Sequence, residues 1–256
     1  MSEARPASTR VLAQAQFEAR NLLANGEQLL VSLLLPLLAL VGLSLSDLVP
    51  VSVGPWEQVS RINVVVPGVL ALAVVSTALT GQAILLGYER RYGVLRLLGT
   101  TPLGRGGLIM AKAGAVFIVV TLQVLVISGA GVVLGWRPDL AGMLPALLFV
   151  VLGSGCFVAL AVVVGGALRA EAVLALANLL WVVLLAGGGI LIPTDALPAS
   201  IAAVIEWLPS ALLADGLRSA LTTSQAGIPM SLALLALIAW TLLLALAARR
   251  LLRWSD

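Results

Sequence analysis

Residues 140–168 read LAGMLPALLFVVLGSGCFVALAVVVGGAL, and no Asp, Glu, Lys or Arg interrupts them. A helix that crosses a bilayer needs roughly 17–25 predominantly apolar residues, and this stretch exceeds that. Five more runs of the same kind lie around it: Leu29–Ser46 with Pro36 near its middle, Ile62–Gly87 with Pro67 near one end, Gly106–Gly135, Ala172–Ile192 and Met230–Ala248. In hydrocarbon every backbone N–H and C=O must be paired within the protein, and helices achieve this segment by segment. The expected fold is therefore an all-α polytopic membrane protein. Residues 29–256 form six transmembrane helices, preceded by an N-terminal segment over residues 1–28.

Composition agrees. The 256 residues are 61% hydrophobic and 11% charged, against about 25% charged in an average soluble domain. The net charge of +3 is spread between apolar runs and is no nucleic-acid signal. The single cysteine, Cys156, sits inside an apolar run and reads as a small buried residue. There is no histidine, which removes His-based catalysis and His metal sites. No catalytic and no metal-binding residue is expected in the chain.

Residues 1–8 are polar and expected to be unstructured, and no secretory signal is expected, since a polar stretch precedes the first apolar run. Over residues 9–25, Val11, Leu12, Ala15, Ala19, Leu22 and Leu23 share one helical face. Gln14, Glu18, Asn21 and Asn25 share the other, with Phe17 breaking the pattern. That pattern suits an amphipathic helix lying at the membrane surface.

The bases orient the chain. With a cytoplasmic N-terminus, Arg5, Arg10, Arg20, Arg90, Arg91, Arg96, Arg105, Lys112, Arg169, Arg249, Arg250 and Arg253 lie inside, and only Arg61, Arg137 and Arg218 outside. The acids show no such bias. Both termini are expected in the cytoplasm of a cell-membrane protein.

Two connections are unusual. Between the second and third runs, Tyr88-Glu-Arg-Arg-Tyr-Gly-Val-Leu-Arg-Leu-Leu-Gly-Thr-Thr-Pro-Leu-Gly-Arg105 reads as a short cytoplasmic helix. Tyr88, Tyr92 and Leu95 make one stripe; Glu89, Gly93 and Arg96 make the next. Gly99 offers a stop and Pro102 a turn. Between the fifth and sixth runs, residues 193–228 hold two apolar pieces, Ala199–Leu208 and Ser210–Leu221. Pro198 and Pro209 punctuate them, and Asp195, Glu206, Asp215 and Arg218 supply polar ends. Neither piece spans a bilayer, so an external re-entrant or interfacial hairpin is expected.

The stretch from Pro67-Gly68 through Ala111-Lys112, with its Glu89-Arg90-Arg91-Tyr92-Gly93 core and Thr101-Pro102-Leu103 after it, resembles the type-2 ABC exporter permease family. The likeness extends to chain size, six spans, the N-terminal surface helix and the external hairpin. It implies that residues 88–102 form a coupling helix docking on a separate nucleotide-binding ATPase. The contact residues would be Glu89, Arg90, Arg91, Gly93 and Arg96, with Thr101 and Pro102 fixing the exit. It also implies ATP and Mg on that partner, a second identical or similar permease chain, and an outward transport direction. An external hairpin capping the exit is implied as well.

The chain contains no Gly-x-x-x-x-Gly-Lys-Ser/Thr cradle. Its one lysine, Lys112, reads as snorkelling from the inner end of the third span. No charge is expected near mid-membrane, which argues against a proton-coupled carrier and weakly favours a hydrophobic or amphiphilic substrate. On the second span Ala73, Ser76, Thr77, Thr80, Ala83 and Gly87 share a face, read either as a packing seam or as part of a pathway. Ser76, Thr77, Thr80 and, through the resemblance, Asn178 are the pathway candidates. Gln82 and Gln123 suggest nothing beyond packing. An intramembrane enzyme is disfavoured, since Ser154 in Gly153-Ser154-Gly155 has no histidine as base. An ion-coupled secondary transporter and a membrane scaffold stay open as alternatives.

Overall fold

The computed structural model describes residues 6–24, 26–46, 50 and 53–252, the side chains of 27–31 excepted. Among these residues all regular structure is helical: α1 (Ala7–Ala24), α2 (Gly26–Leu45), α3 (Arg61–Arg91), α4 (Val94–Gly99), α5 (Gly104–Val133), α6 (Met143–Ala167), α7 (Ala170–Gly187), α8 (Ala199–Ile205), α9 (Pro209–Leu221) and α10 (Met230–Leu251). Five of them, α3, α5, α6 with its leading turn from Leu140, α7 and α10, are long and apolar enough to cross a membrane. The sixth expected span corresponds to α2, whose described apolar part, Ser32–Leu45, is shorter than a span. The chain is an all-helical, multi-pass membrane protein. Residues 1–5, expected to be unstructured, lie outside the described set, as do Asn25, Arg253 and part of the loop before Arg61; the helix already begins at Ala7.

α3 is the centre of the bundle. Its apolar window is 83% buried, against 17% for α7 and for α10. Apolarity does not set this, since α10 is as apolar, with mean hydropathy 2.4 against 2.2 for α3. Lipid accepts an apolar face as readily as protein does, and the packing of neighbouring helices around α3 decides it. α3 packs against α2, α5 and α9 in its first half and against α6 and α7 in its second. Glycines on α6 permit the close contacts. A Cβ at Gly165 would sit 2.7 Å from the Ala83 carbonyl oxygen, and one at Gly153 would sit 2.8 Å from Leu213. Small residues at such seams let helices approach where no hydrophobic drive separates protein from lipid.

α3 is not α-helical throughout. Ser76–Gly81 is a π-helical stretch between the α-helical parts Arg61–Val75 and Gln82–Arg91. The expected single face from Ala73 to Gly87 is therefore broken, since the wider turn shifts the residues beyond it out of the 3.6-residue register.

The loops gather at two ends. At one end the indole Nε1 of Trp56 donates to Asp195 Oδ2 (3.1 Å), Asp139 N to Leu221 O (3.0 Å), and Arg137 N to Asn63 Oδ1 (3.0 Å). At the other end Arg105 reaches the Arg249 carbonyl (3.2 Å) and Arg10 the Pro102 carbonyl. Among the described residues, Arg61, Arg137 and Arg218 belong to the first end. Arg10, Arg20, Arg90, Arg91, Arg96, Arg105, Lys112, Arg169, Arg249 and Arg250 belong to the second.

The hairpin expected over residues 193–228 is present as α8 and α9, bent by 97° at Glu206–Leu208. Pro198 precedes α8 and Pro209 opens α9, where a missing N–H costs nothing. Asp215 and Arg218 are not polar ends. They lie in the middle of α9, every residue of which is buried among α3, α6 and α10.

Two further expectations are corrected. Glu18 faces inward with Ala15, Ala19 and Leu22, while Leu12, Phe17 and Leu23 are exposed. Lys112 does not snorkel, because its side chain is fully buried. The two corrections share one cause: Glu18 and Lys112 neutralise each other between α1 and α5.

Candidate functional site

The connection from α3 to α5 is an elbow of two bends. The expected continuous helix through Tyr88, Tyr92 and Leu95 breaks early. α3 ends at Arg91, and Gly93 takes φ +75°, a left-handed value that glycine adopts without strain. α4 then runs only from Val94 to Gly99. The hydroxyls of Thr100 and Thr101 donate to the carbonyls of Leu97 (2.7 Å) and Leu98 (2.6 Å), closing its last turn. Gly104, at φ +70°, opens α5. Leu95 is buried beneath α4, which seats the elbow on the bundle.

The elbow's outer surface is apolar and cationic. Tyr92 is 73% exposed and Leu97 69%, with Val94, Arg91 and Arg96 exposed beside them. Tyr88 and Tyr92 stack with ring centroids 6.1 Å apart. Exposed apolar patches of this kind mark contacts with another protein or with the membrane.

The inner side of the elbow is a charge cluster. Lys112 Nζ lies 3.0 Å from Glu18 Oε2 and 2.9 Å from Glu89 Oε2, tying α1, α3 and α5 at one point. Gln14 Nε2 donates to the other Glu18 oxygen (3.0 Å). Arg90 is buried and donates to the carbonyls of Gly166 (2.8 Å) and Leu168 at the end of α6. Those carbonyls are left without intrahelical partners and carry the negative end of the helix dipole, so a guanidinium is well placed there. Arg91 pairs with Glu171 at the start of α7, both partly exposed.

Of the seven expected coupling residues, Arg91, Gly93, Arg96, Thr101 and Pro102 are thus on the surface. Glu89 and Arg90 point into the protein and hold the elbow to α5 and α6, and through Lys112 to α1. Sequence reading missed Glu18 as a partner. The available signal was that it is the only acid in α1 and that Lys112 is the only lysine in the chain.

The pathway candidates divide. Ser76, Thr77 and Thr80 all lie in the π-helical stretch. Ser76 Oγ accepts from Trp181 Nε1 of α7 (2.8 Å). Thr77 Oγ1 donates to Gln123 Oε1 of α5 (2.9 Å), and Gln123 Nε2 reaches Ser32 Oγ of α2 (3.1 Å). The Thr80 hydroxyl is buried with no partner. Asn178 is exposed at the middle of α7 among Leu174, Leu179 and Val182, and no described bond joins it to the other three.

At the opposite end Arg218 is fully buried. Its guanidinium bonds Asp215 Oδ1 (2.5 Å) and the carbonyls of Gly189 (2.9 Å), Ile190, Leu191 (3.3 Å) and Val64 (3.4 Å). Thr194 Oγ1 donates to Asp215 Oδ2 (2.6 Å). The hairpin is therefore locked to the start of α3 and the end of α7.

A central apolar helix, a structured elbow at one end and a buried hairpin at the other make up a multi-pass helical membrane protein. The family model for ABC-2 family transporter proteins matches residues 55–249, and the chain belongs to that family. The match covers α3 to α10 and leaves α1 and α2 outside. A comparison with curated proteins returns no match.

Proposed function

We propose that this chain is the permease subunit of an ABC exporter, powered by ATP and Mg bound on a separate cytosolic ATPase that docks on the elbow. The observation that carries the reading is the two-sided construction of the elbow. Its outer face offers Tyr92, Val94, Leu97, Arg91 and Arg96 to a partner. Its inner face is bonded through Glu89 and Arg90 to α5, α1 and α6. A push on the outer face is thereby delivered to several spans at once. The split of bases between the two ends supports a cytoplasmic elbow and cytoplasmic termini in the cell membrane.

The substrate is a hydrophobic or amphiphilic molecule, favoured by the lack of charge expected near mid-membrane, and it moves outward, as the family resemblance implies. A second copy, or a similar permease, completes the pathway against α7. The polar amide of Asn178 lies open at mid-helix on a largely uncovered face, and such a group in hydrocarbon finds a partner or a wet cavity. The chain is not itself an enzyme.

The test is co-purification of a nucleotide-binding ATPase with the wild-type chain, and its loss on Arg96→Glu with Leu97→Asp. A purified chain that moves cargo with no ATPase present would establish the secondary-transporter alternative instead. Absence of both transport and ATPase would leave the scaffold.

A further inference from the structure

Both ends of α3 are anchored, but to different things. Its first half is held by the hairpin: a Cβ on Gly68 would meet Arg218 Nη2 at 2.6 Å, and Arg218 itself bonds the Val64 carbonyl. Its second half is held by the elbow's bonds through Glu89 and Arg90. Between the halves stands the π-helical stretch Ser76–Gly81. Directly after it comes Gln82, only 1% exposed, with both its amide nitrogen and its amide oxygen lacking any hydrogen-bond partner. Thr80 Oγ1, inside the stretch, is likewise buried and unpartnered.

Buried polar atoms of native proteins are nearly always paired, and each orphan destabilises the state that contains it. Three such atoms beside a π turn mark a conformation that is held from outside. Single π turns inside α-helices occur frequently at functional sites, and the surplus residue of such a turn can be passed along the helix by exchanging one backbone hydrogen bond after another. Passing it toward the elbow turns the Gln82–Arg91 half by about 100° and slides it about 1.5 Å, one residue of helix geometry. The Arg61–Val75 half stays still.

We propose that Ser76–Gly81 is the hinge of the permease. Elbow motion is taken up there by a register shift of the Gln82–Arg91 half, and Gln82 and Thr80 are the polar groups whose pairing differs between the two registers. The Glu89–Lys112 and Arg90–Gly166 bonds are the latch of the resting register, since the shift carries both side chains away from those partners. The inference rests on the docking reading for its source of force, but the π turn and the unpaired amide stand without it.

A reversible lock tests the hinge. A Cβ on Gly87 would lie 3.4 Å from the Cβ of Val173 on α7, close to the spacing a disulfide needs. In a Cys156→Ala background, Gly87→Cys with Val173→Cys ties the moving half to α7. In proteoliposomes of the permease with its co-purified ATPase, phosphate release from Mg-ATP is expected to be lost on oxidation and restored on reduction. Unchanged turnover in the oxidised form overturns the hinge. Gln82→Leu, which removes the unpaired amide at similar volume, is expected to raise the Tm of the chain alone in detergent; a lowered or unchanged Tm overturns the role given to Gln82. That Tm involves no ATPase, so it reads separately from a failure of docking, which shows as a wild-type chain that brings no ATPase with it.

Discussion

Lys112 and Glu18, ninety-four positions apart, meet at 3.0 Å in the protein interior, with the lysine fully buried and the glutamate nearly so. Glu89 joins from the other side at 2.9 Å, so one ammonium serves two carboxylates. The N-terminal helix is thereby joined to the elbow through charge rather than through an apolar face alone.

Removing the ammonium leaves two buried carboxylates facing each other. Lys112→Met is expected to destabilise the protein by about 3–5 kcal/mol, the usual cost of breaking a buried pair from one side. Glu18→Gln or Glu89→Gln alone should cost less, because one ion pair survives. The triple variant should recover most of the loss. Thermal unfolding in detergent, compared across the wild type and the four variants, measures this.

The hairpin lock is a second test of burial. Arg218→Ala strips a guanidinium from Asp215 and from several carbonyls, and a loss of about 3–5 kcal/mol is expected. Arg218→Lys should not rescue it, since an ammonium lacks the planar fork that reaches those acceptors together. Gly68→Ala should also lower the Tm, because its Cβ would crowd both Arg218 and the Ile190 carbonyl at 2.6 Å.

Asp195 gives a pH dependence. Burial pushes its carboxyl up from the ordinary aspartate range. The negative charge of Asp215 adds to this, and the indole of Trp56 and the charge of Arg218 oppose it. The folded state thus holds this proton more tightly than the unfolded state. Its stabilising share is present at low pH and is lost as pH rises through the raised pKa. Asp195→Asn keeps an oxygen acceptor for Trp56 and should melt higher than the wild type at neutral pH. The gap should close as the buffer is acidified into the aspartate range, followed by Trp fluorescence melts.

On the elbow, inner and outer residues should part company. Arg96→Glu with Leu97→Asp, both exposed, should leave the Tm unchanged and abolish ATPase co-purification. Glu89→Gln, turned inward, should lower the Tm with the ATPase still bound. Pull-down and melting of the same preparations distinguish them; equal loss of binding by both would return Glu89 to the docking face.

Much of the architecture was legible because lipid leaves the backbone few choices. Leu140–Ala167 lies within one residue of the apolar run that announces it, and Pro198 and Pro209 stand where α8 and α9 begin. The elbow was legible as a place, but its break fell at Gly93 and not only at Gly99, because either glycine satisfies the local pattern.

What the sequence alone determined was therefore the all-helical, membrane-crossing class, the order of apolar helices and the sorting of bases to two ends. Each follows from local composition and the demand that backbone groups be paired in hydrocarbon. Only the tertiary structure decided that Glu18 and Lys112 pair, that Arg218 is buried, that Glu89 and Arg90 turn inward, and that α3 carries a π turn beside an unpaired Gln82. A buried charge or an orphan amide is defined by what lies across from it, and no run of neighbouring residues specifies a partner ninety positions away.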